Sequence, residues 1–432
     1  MSIVYKIIVY KIHECCKMAA LIVASGSVLF FLSCAGDDRT AETHAEDMKT
    51  IKVDVENYIS GSYDISDMLD TSFFIAAPLQ TTPECLVGDD LKRIFYKNGF
   101  IYVLDKMTKG VYIFDVKGSM VGKIRSVGQG TEEYINLDDM YVTDKNVFIW
   151  DWMSGKVLVY DTLGRYQNQF RRGKWYGENM FVHDGRVYFI EDMERQSPGY
   201  GHYRLTSVDM SGGDLRRYIP FDTVGGGRYP RQVRNIYSVA SDGVTIMYPC
   251  ADTVFKVDKN GVKASYLFDF MGKALPEDIA RKKLTARPDG YGKGRIKGMD
   301  GMFGTDDYLF FRFEYNTNPK INIKDYPTTP EGIKKLKENR KPTHYVLVYD
   351  KHTGKTSVYN SLSAEKIGPL SSSMWIDGGY VVLSVTAPVF KAFYPGTAKH
   401  QFDSPYNELC DSISAVLSFD NNPVVLIYKL KN

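Results

Sequence analysis

Three pairs of adjacent acids, Asp89-Asp90, Asp138-Asp139 and Asp306-Asp307, are the side chains here with the plainest capacity for chemistry. Glycoside hydrolysis needs two carboxylates facing each other across a sugar, and a hard cation such as Ca2+ needs several oxygens around one point. Neighbours on a strand point to opposite faces, so no doublet is such a pair by itself; capping of turns is the plainer role. Two basic stretches complement the acids: Arg228-Tyr229-Pro230-Arg231-Gln232-Val233-Arg234, and a run from Arg281 to Lys297 that includes Arg287, Lys293 and Arg295. Arginine forks fit carboxylate and sulfate groups, and a neighbouring Tyr fits a sugar ring, so an acidic glycan or peptide is the ligand they suggest. A solvated loop is the alternative for each. His183, His202, His344, His352 and His400 never recur at metal-ligand spacing, and neither HExxH nor GxSxG occurs. Gly128-Gln129-Gly130 is no phosphate cradle, because strand-forming sequence follows where a helix N-terminus is needed.

The elements that must position these residues repeat along the chain. LKRIFY, FIYVLD, VYIFD and SMVGKI, from Leu91 to Ile124, are four short strand signals separated by KNG, KMTKG and VKG turns. MYV, VFIWD, VLVYD and RYQNQF follow from Met140 to Phe170 in the same rhythm, and weaker copies continue to the end. The last opens at MWIDGGYVVLSV and closes at AVLSFDNNPVVLIYKLKN. One such sheet cannot bury both faces alone; stacking copies around an axis can. Six openings, at Leu91, Met140, Met180, Ile236, Met302 and Met374, predict an all-β, six-bladed β-propeller of four-stranded antiparallel blades over residues 51–432. Blade five carries an insertion at about 316–343, in which GIKKLKENR suggests a short helix. IKVDVE, from Ile51 to Glu56, is an isolated strand signal placed to complete the last blade.

The residues just before each innermost strand then ring one mouth of the central channel. Asp90, Asp138, Asp139, Glu178, Asn179, Arg231, Arg234, Asn235 and Asp300 are the candidate ligand-binding set, with Ca2+ as a possible occupant and solvated turns as the alternative. No residue is singled out as catalytic.

The amino terminus reads as an address. Lys6, Lys11 and Lys17 precede an uncharged run from Met18 to Ser33, too short to span a bilayer comfortably and matching a signal peptide over residues 1–33. Met1 and Met18 are both candidate starts. The run ends at Phe31-Leu32-Ser33-Cys34, which resembles a bacterial lipobox, so Cys34 is the expected lipid anchor. Residues 34–50 are polar and read as a flexible tether. Cys85, Cys250 and Cys410 are scattered without CxxC spacing and read as buried thiols.

From Leu79 to Asp144 the sequence resembles the bacterial six-bladed β-propeller lipoproteins of unknown function, which are related in style to NHL-repeat propellers. Their loop after the first blade, Gly-x-Gly-Pro-Gly-Glu-Tyr, is matched by Gly128-Gln129-Gly130-Thr131-Glu132-Glu133-Tyr134, which keeps two glycines and the Glu-Tyr. The resemblance implies the propeller and an envelope location, and it supplies no catalytic residues. Acids soon after Cys34 resemble a surface-export signal, so an outer-membrane, surface-exposed lipoprotein is expected, with a periplasm-facing one as the alternative. Beyond residue 33 basic and acidic residues balance, which offers no field for nucleic acid. The reading is therefore a monomeric binding module for a glycan or protein, touching the membrane only through its lipid. A hydrolase or lyase using mouth carboxylates, and a structural subunit of an outer-membrane assembly, are the alternatives.

Overall fold

Runs of aromatic and β-branched residues broken by Gly- and Asp-containing turns form strands nearly throughout. The computed structural model describes residues 39–40, 48–88, 91–171, 177, 179–191, 203–220, 235–249, 251–276, 279, 292–318, 329, 340–364, 374–394 and 404–431. Four strands come first: β1 (Arg39–Thr40), β2 (Lys49–Lys52), β3 (Ile59–Asp64) and β4 (Leu69–Pro78). Blade one is β5 (Arg93–Lys97), β6 (Phe100–Asp105), β7 (Gly110–Asp115) and β8 (Met120–Ile124). Blade two is β9 (Asp139–Val142), β10 (Asn146–Asp151), β11 (Lys156–Asp161) and β12 (Tyr166–Arg171). Blade three is β13 (Asn179–His183), β14 (Arg186–Ile190), β15 (Tyr203–Asp209) and β16 (Arg216–Pro220). Blade four is β17 (Tyr237–Ala240), β18 (Gly243–Met247), β19 (Thr253–Asp258) and β20 (Gly261–Asp269). Blade five is β21 (Met299–Gly304), β22 (Tyr308–Glu314), β23 (His344–Asp350) and β24 (Thr356–Ser363). Blade six opens with β25 (Met374–Asp377) and β26 (Tyr380–Val385), passes through helices α1 (Ala387–Phe393) and α2 (Ser404–Val416), and ends with β27 (Val424–Leu430). The result is an all-β, six-bladed propeller of four-stranded antiparallel blades.

Local chemistry sets the hairpins. Between the third and fourth strands of blade one, Asp115 accepts the backbone N–H groups of Lys117 and Ser119, and Asp161 and Asp209 repeat the device in blades two and three. Each turn contains a glycine with positive φ; at Gly118 a Cβ would also collide with the Pro78 carbonyl of blade six. Large apolar side chains fill the seams between blades, with Trp150, Phe148 and Phe181 fully buried in one seam cluster.

The amino-terminal strands lie along the outer edges. β1, β2 and β3 pair in parallel with β16, β20 and β24, so blades three, four and five each gain a fifth strand. β4 pairs antiparallel with β27 and is the outermost strand of blade six. These strands begin at residues 39, 49, 59 and 69, so each step of ten residues advances the chain by one blade. Four antiparallel strands return the chain to the end where a blade began. Every innermost strand therefore starts at the same end of the ring, the entry mouth, and β1 starts at the opposite end.

Two parts of this arrangement differ from the sequence expectation. The IKVDVE signal pairs with blade four rather than blade six, because only its first residues are strand and β20 lies beside them. Within the expected tether 34–50, Arg39–Thr40 and Lys49–Thr50 are strand. An outer edge offers unpaired backbone groups to any chain, so polar side chains can remain in solvent while the backbone pairs. In blade six AVLSFDNNPVVLIYKLKN supplies one strand, and its first residues end α2. Tyr406, Cys410, Ile413 and Leu417 recur at helical spacing and are all buried, which makes this segment a helix. Cys85 and Cys410 are free and buried, and Cys250 lies outside the described residues. The expected signal peptide and most of the expected blade-five insertion, including GIKKLKENR, also lie outside them.

Ala77 on β4 is fully buried in the cluster it shares with blade one, while Thr71 on the same strand is exposed. Ala77→Asp forces an unpaired carboxylate into that seam and is expected to cost about 3–5 kcal/mol. Thr71→Asp should leave the unfolding free energy in urea within about 0.5 kcal/mol of the parent. Equal effects of the two in urea unfolding would contradict the placement of β4.

Candidate functional site

The entry mouth has a closed side and an open side. The closed side is built on Arg93, from the first position of β5. It is 6% exposed and its partner Asp139, at the start of β9, is 0% exposed. Arg93 Nε and Nη2 donate to the two carboxylate oxygens of Asp139 at 2.9 and 3.1 Å, and Nη2 also reaches Asn179 Oδ1 at 3.4 Å. The Met180 N–H donates to the same carboxylate at 2.8 Å, and the guanidinium carbon stands 5.0 Å from the centre of the Tyr237 ring. Burial opposes the Arg93 charge, but Asp139 beside it outweighs burial and raises the guanidinium pKa. The Tyr237 hydroxyl donates to the Met180 carbonyl, Ser238 bonds both backbone groups of Gly304, and Asn235 reaches Met302 and the Met374 carbonyl. Polar contacts therefore run from blade one to blade six around the axis.

The open side is a cleft of about 480 Å³ across the entry end of blade five, lined also by Met374 of blade six and by Asn235. Two ladder irregularities shape it. The pairing of β21 with β22 shifts between Met299 and Gly301, which leaves Asp300 as an extra residue, and bulges of this kind re-aim side chains. The pairing of β24 with β3 shifts between Tyr359 and Ser361, at Asn360. Arg312 lies across Gly301: a Cβ there would stand 3.0 Å from its Nε and 3.1 Å from Nη2. Among the described residues its ion-pair contact is Asp300 at 3.8 Å, beyond hydrogen-bond length. Asn360 accepts the Gly61 N–H at 2.9 Å, while its buried Nδ2 has no hydrogen-bond partner among the described residues. Phe303, Phe313, Tyr345, Val346 and Leu362 supply apolar and aromatic lining.

The structure brings some of the sequence candidates together and separates others. Asp139 and Asn179 meet on Arg93, and Asn235 and Asp300 line the cleft. Asp138 turns away from Asp139: it accepts the Trp152 N–H at 2.8 Å and a bond from Asn136, and burial raises its carboxyl pKa. Asp90, Glu178, Arg231 and Arg234 lie outside the described residues. Asp306 accepts the Ser241 N–H and Asp307 meets His352, so that doublet serves turns. Of the second basic stretch, Arg295 donates to the Gly272 carbonyl and Lys297 pairs with Glu314. Among the described residues no group of three or more His, Cys, Asp or Glu is placed to hold a metal ion. Sequence reasoning missed Arg93 and Arg312. Their only signal was an Arg among apolar residues in strands of blades one and five.

Glu191, just after β14, was missed as well. It is buried, receives the Thr206 hydroxyl, and burial pushes its carboxyl up to about 9 against the pull of Arg217. An unfolded Glu ionises near 4.3, so between about pH 4 and 9 the folded protein holds the extra proton. Stability must then fall as pH rises through that window. Glu191→Gln is expected to flatten this slope in urea titrations; an unchanged slope would contradict a buried neutral acid. Asp139→Ala leaves Arg93 buried without its carboxylate and is expected to cost about 3–5 kcal/mol, read from urea unfolding. Arg93→Met with Asp139→Leu is expected to recover most of that loss.

The profile of the family described as a domain of unknown function, DUF4934, matches residues 48–429. A search of the curated proteins finds no match. Among solved structures, a putative exported protein from Bacteroides fragilis is similar with a TM-score of 0.60 and 18% identity, covering 89% of this chain and 100% of that one. A member of the DUF4221 family from Bacteroides vulgatus aligns with a TM-score of 0.42 and 10% identity over 84% of this chain and 98% of its own. The first likeness supports the six-bladed fold, and the profile spans all six blades: the chain belongs to the DUF4934 family of unknown function.

Proposed function

We propose that this protein is an exported, lipid-anchored binding module of the outer membrane that holds a small polar ligand in the blade-five cleft. The observation that carries the reading is the cleft itself. It lies at the mouth, mixes apolar lining with open polar groups, and its volume is within the ~300–1,000 Å³ usual for ligand sites. The described acids of the closed side, Asp138 and Asp139, are already engaged by protein groups, which favours binding over carboxylate catalysis. Export is supported by the uncharged run before Cys34, by the lipobox-like Leu32-Ser33-Cys34, and by likeness to a protein described as exported. No helix among the described residues is long and apolar enough to cross a membrane.

Two measurements test this. Cys34→Ser is expected to move the protein from the detergent phase to the aqueous phase in detergent partitioning; a protein that stays in the aqueous phase without the substitution would contradict the anchor. Thermal unfolding of the chain with millimolar neutral and acidic saccharides is expected to show a stabilising ligand. Ser361→Trp, at the exposed lip of the cleft, should remove that stabilisation. A ligand that stabilises the Ser361→Trp chain equally binds elsewhere.

A further inference from the structure

The geometry points to a carboxylate-bearing ligand for the blade-five cleft, an acidic sugar held through Arg312. This rests on the binding reading above and narrows it to one chemistry.

The placement of Arg312 is the starting point. A guanidinium carries five donors in a planar fork that suits a carboxylate. Arg312 is half-exposed on the cleft wall, and no described residue accepts a hydrogen bond from it. By contrast, Arg93 spends its fork on Asp139 and Asn179, Arg295 donates to a carbonyl, and Arg186 pairs with Asp214. Gly301 lets the fork of Arg312 lie flat against β21, since any side chain there would crowd Nε and Nη2. Gly301 is not among the positive-φ glycines. Its missing side chain therefore serves the space that Arg312 occupies, not the backbone.

The rest of the cleft fits a polyhydroxy ligand. Asn235 and Ser361 add an amide and a hydroxyl to the lining, while Leu362 offers surface for the apolar face of a ring. Asp300 stands at 3.8 Å from Nε, so it opposes an anion without occupying the fork. That gives the site a signature: removing the Asp300 charge should tighten an acidic ligand, whereas a purely structural acid would not behave so.

The test is calorimetric titration of the full chain with galacturonic acid trisaccharide, and with maltotriose as the neutral match. The acidic sugar is expected to bind and maltotriose to bind at least tenfold more weakly. Arg312→Ala should weaken the acidic sugar tenfold or more, as loss of a charged hydrogen bond implies. Gly301→Ala, which keeps the charge but displaces the fork, should weaken it severalfold, and Asp300→Asn should tighten it severalfold. Arg312 and Asp300 are at the surface of the cleft and Gly301 is buried beneath Arg312, and an unchanged unfolding temperature shows that each variant is folded. Equal binding of both sugars, unaffected by Arg312→Ala but lost in Ser361→Trp, overturns the carboxylate inference while the cleft keeps its ligand. Acidic-sugar binding that survives both Arg312→Ala and Ser361→Trp places the site elsewhere and overturns both. Binding of neither sugar overturns the acidic-sugar assignment, and whether other saccharides still stabilise the chain against heat decides the fate of the cleft.

Discussion

A buried guanidinium cannot be left without its counter-charge, and this constraint at Arg93 organises the entry mouth. The pair with Asp139 joins blades one and two, Asn179 and the Met180 N–H bring in blade three, and the Tyr237 ring over the guanidinium brings in blade four. Burying such a pair contributes little net stability, since desolvation offsets much of the attraction. What it imposes is register. A slip of any of these inner strands by one residue would turn its polar group away from the axis. Asn235 and Ser238 extend the same logic to blades five and six, and this fixes the inner wall against which the blade-five cleft opens.

The outside of the ring follows a different rule. Outer strands expose backbone N–H and C=O groups, and the amino-terminal segment satisfies those of blades three, four and five with parallel strands before β4 joins blade six. A segment of ten residues per blade is enough to cross an edge and return along the circumference. β1 starts at the end of blade three opposite the cleft. The cleft belongs to the entry end, where the loops between strands have freedom to vary without disturbing the seams.

Much of the fold was legible because its signals are local. Strand alternation in FIYVLD and VLVYD, with Asp- and Gly-containing turns, marked the blades and their inner strands. The sequence reading failed where pairing is non-local or periodicity was masked. IKVDVE and LDTSFFIAAP are both plausible edge strands, and only the length of β4 and its two buried alanines suit β27. The helix from Ser404 to Val416 was hidden because AVLSF reads equally as a strand. At the site, Asp139, Asn179, Asn235 and Asp300 were legible as residues preceding inner strands. Their partners Arg93 and Arg312 were not, because an Arg inside a strand has no sequence mark for which neighbour it meets. The bulge that frees Asp300 depends on the register with β22, which no local pattern encodes.

The most direct measurement of the central claim is a crystal structure of the chain grown with galacturonic acid trisaccharide. The account predicts sugar density in the blade-five cleft, with a carboxylate against the Arg312 fork. Sugar density on the axis, on the blade edges or at the opposite mouth, with the cleft empty, would contradict it.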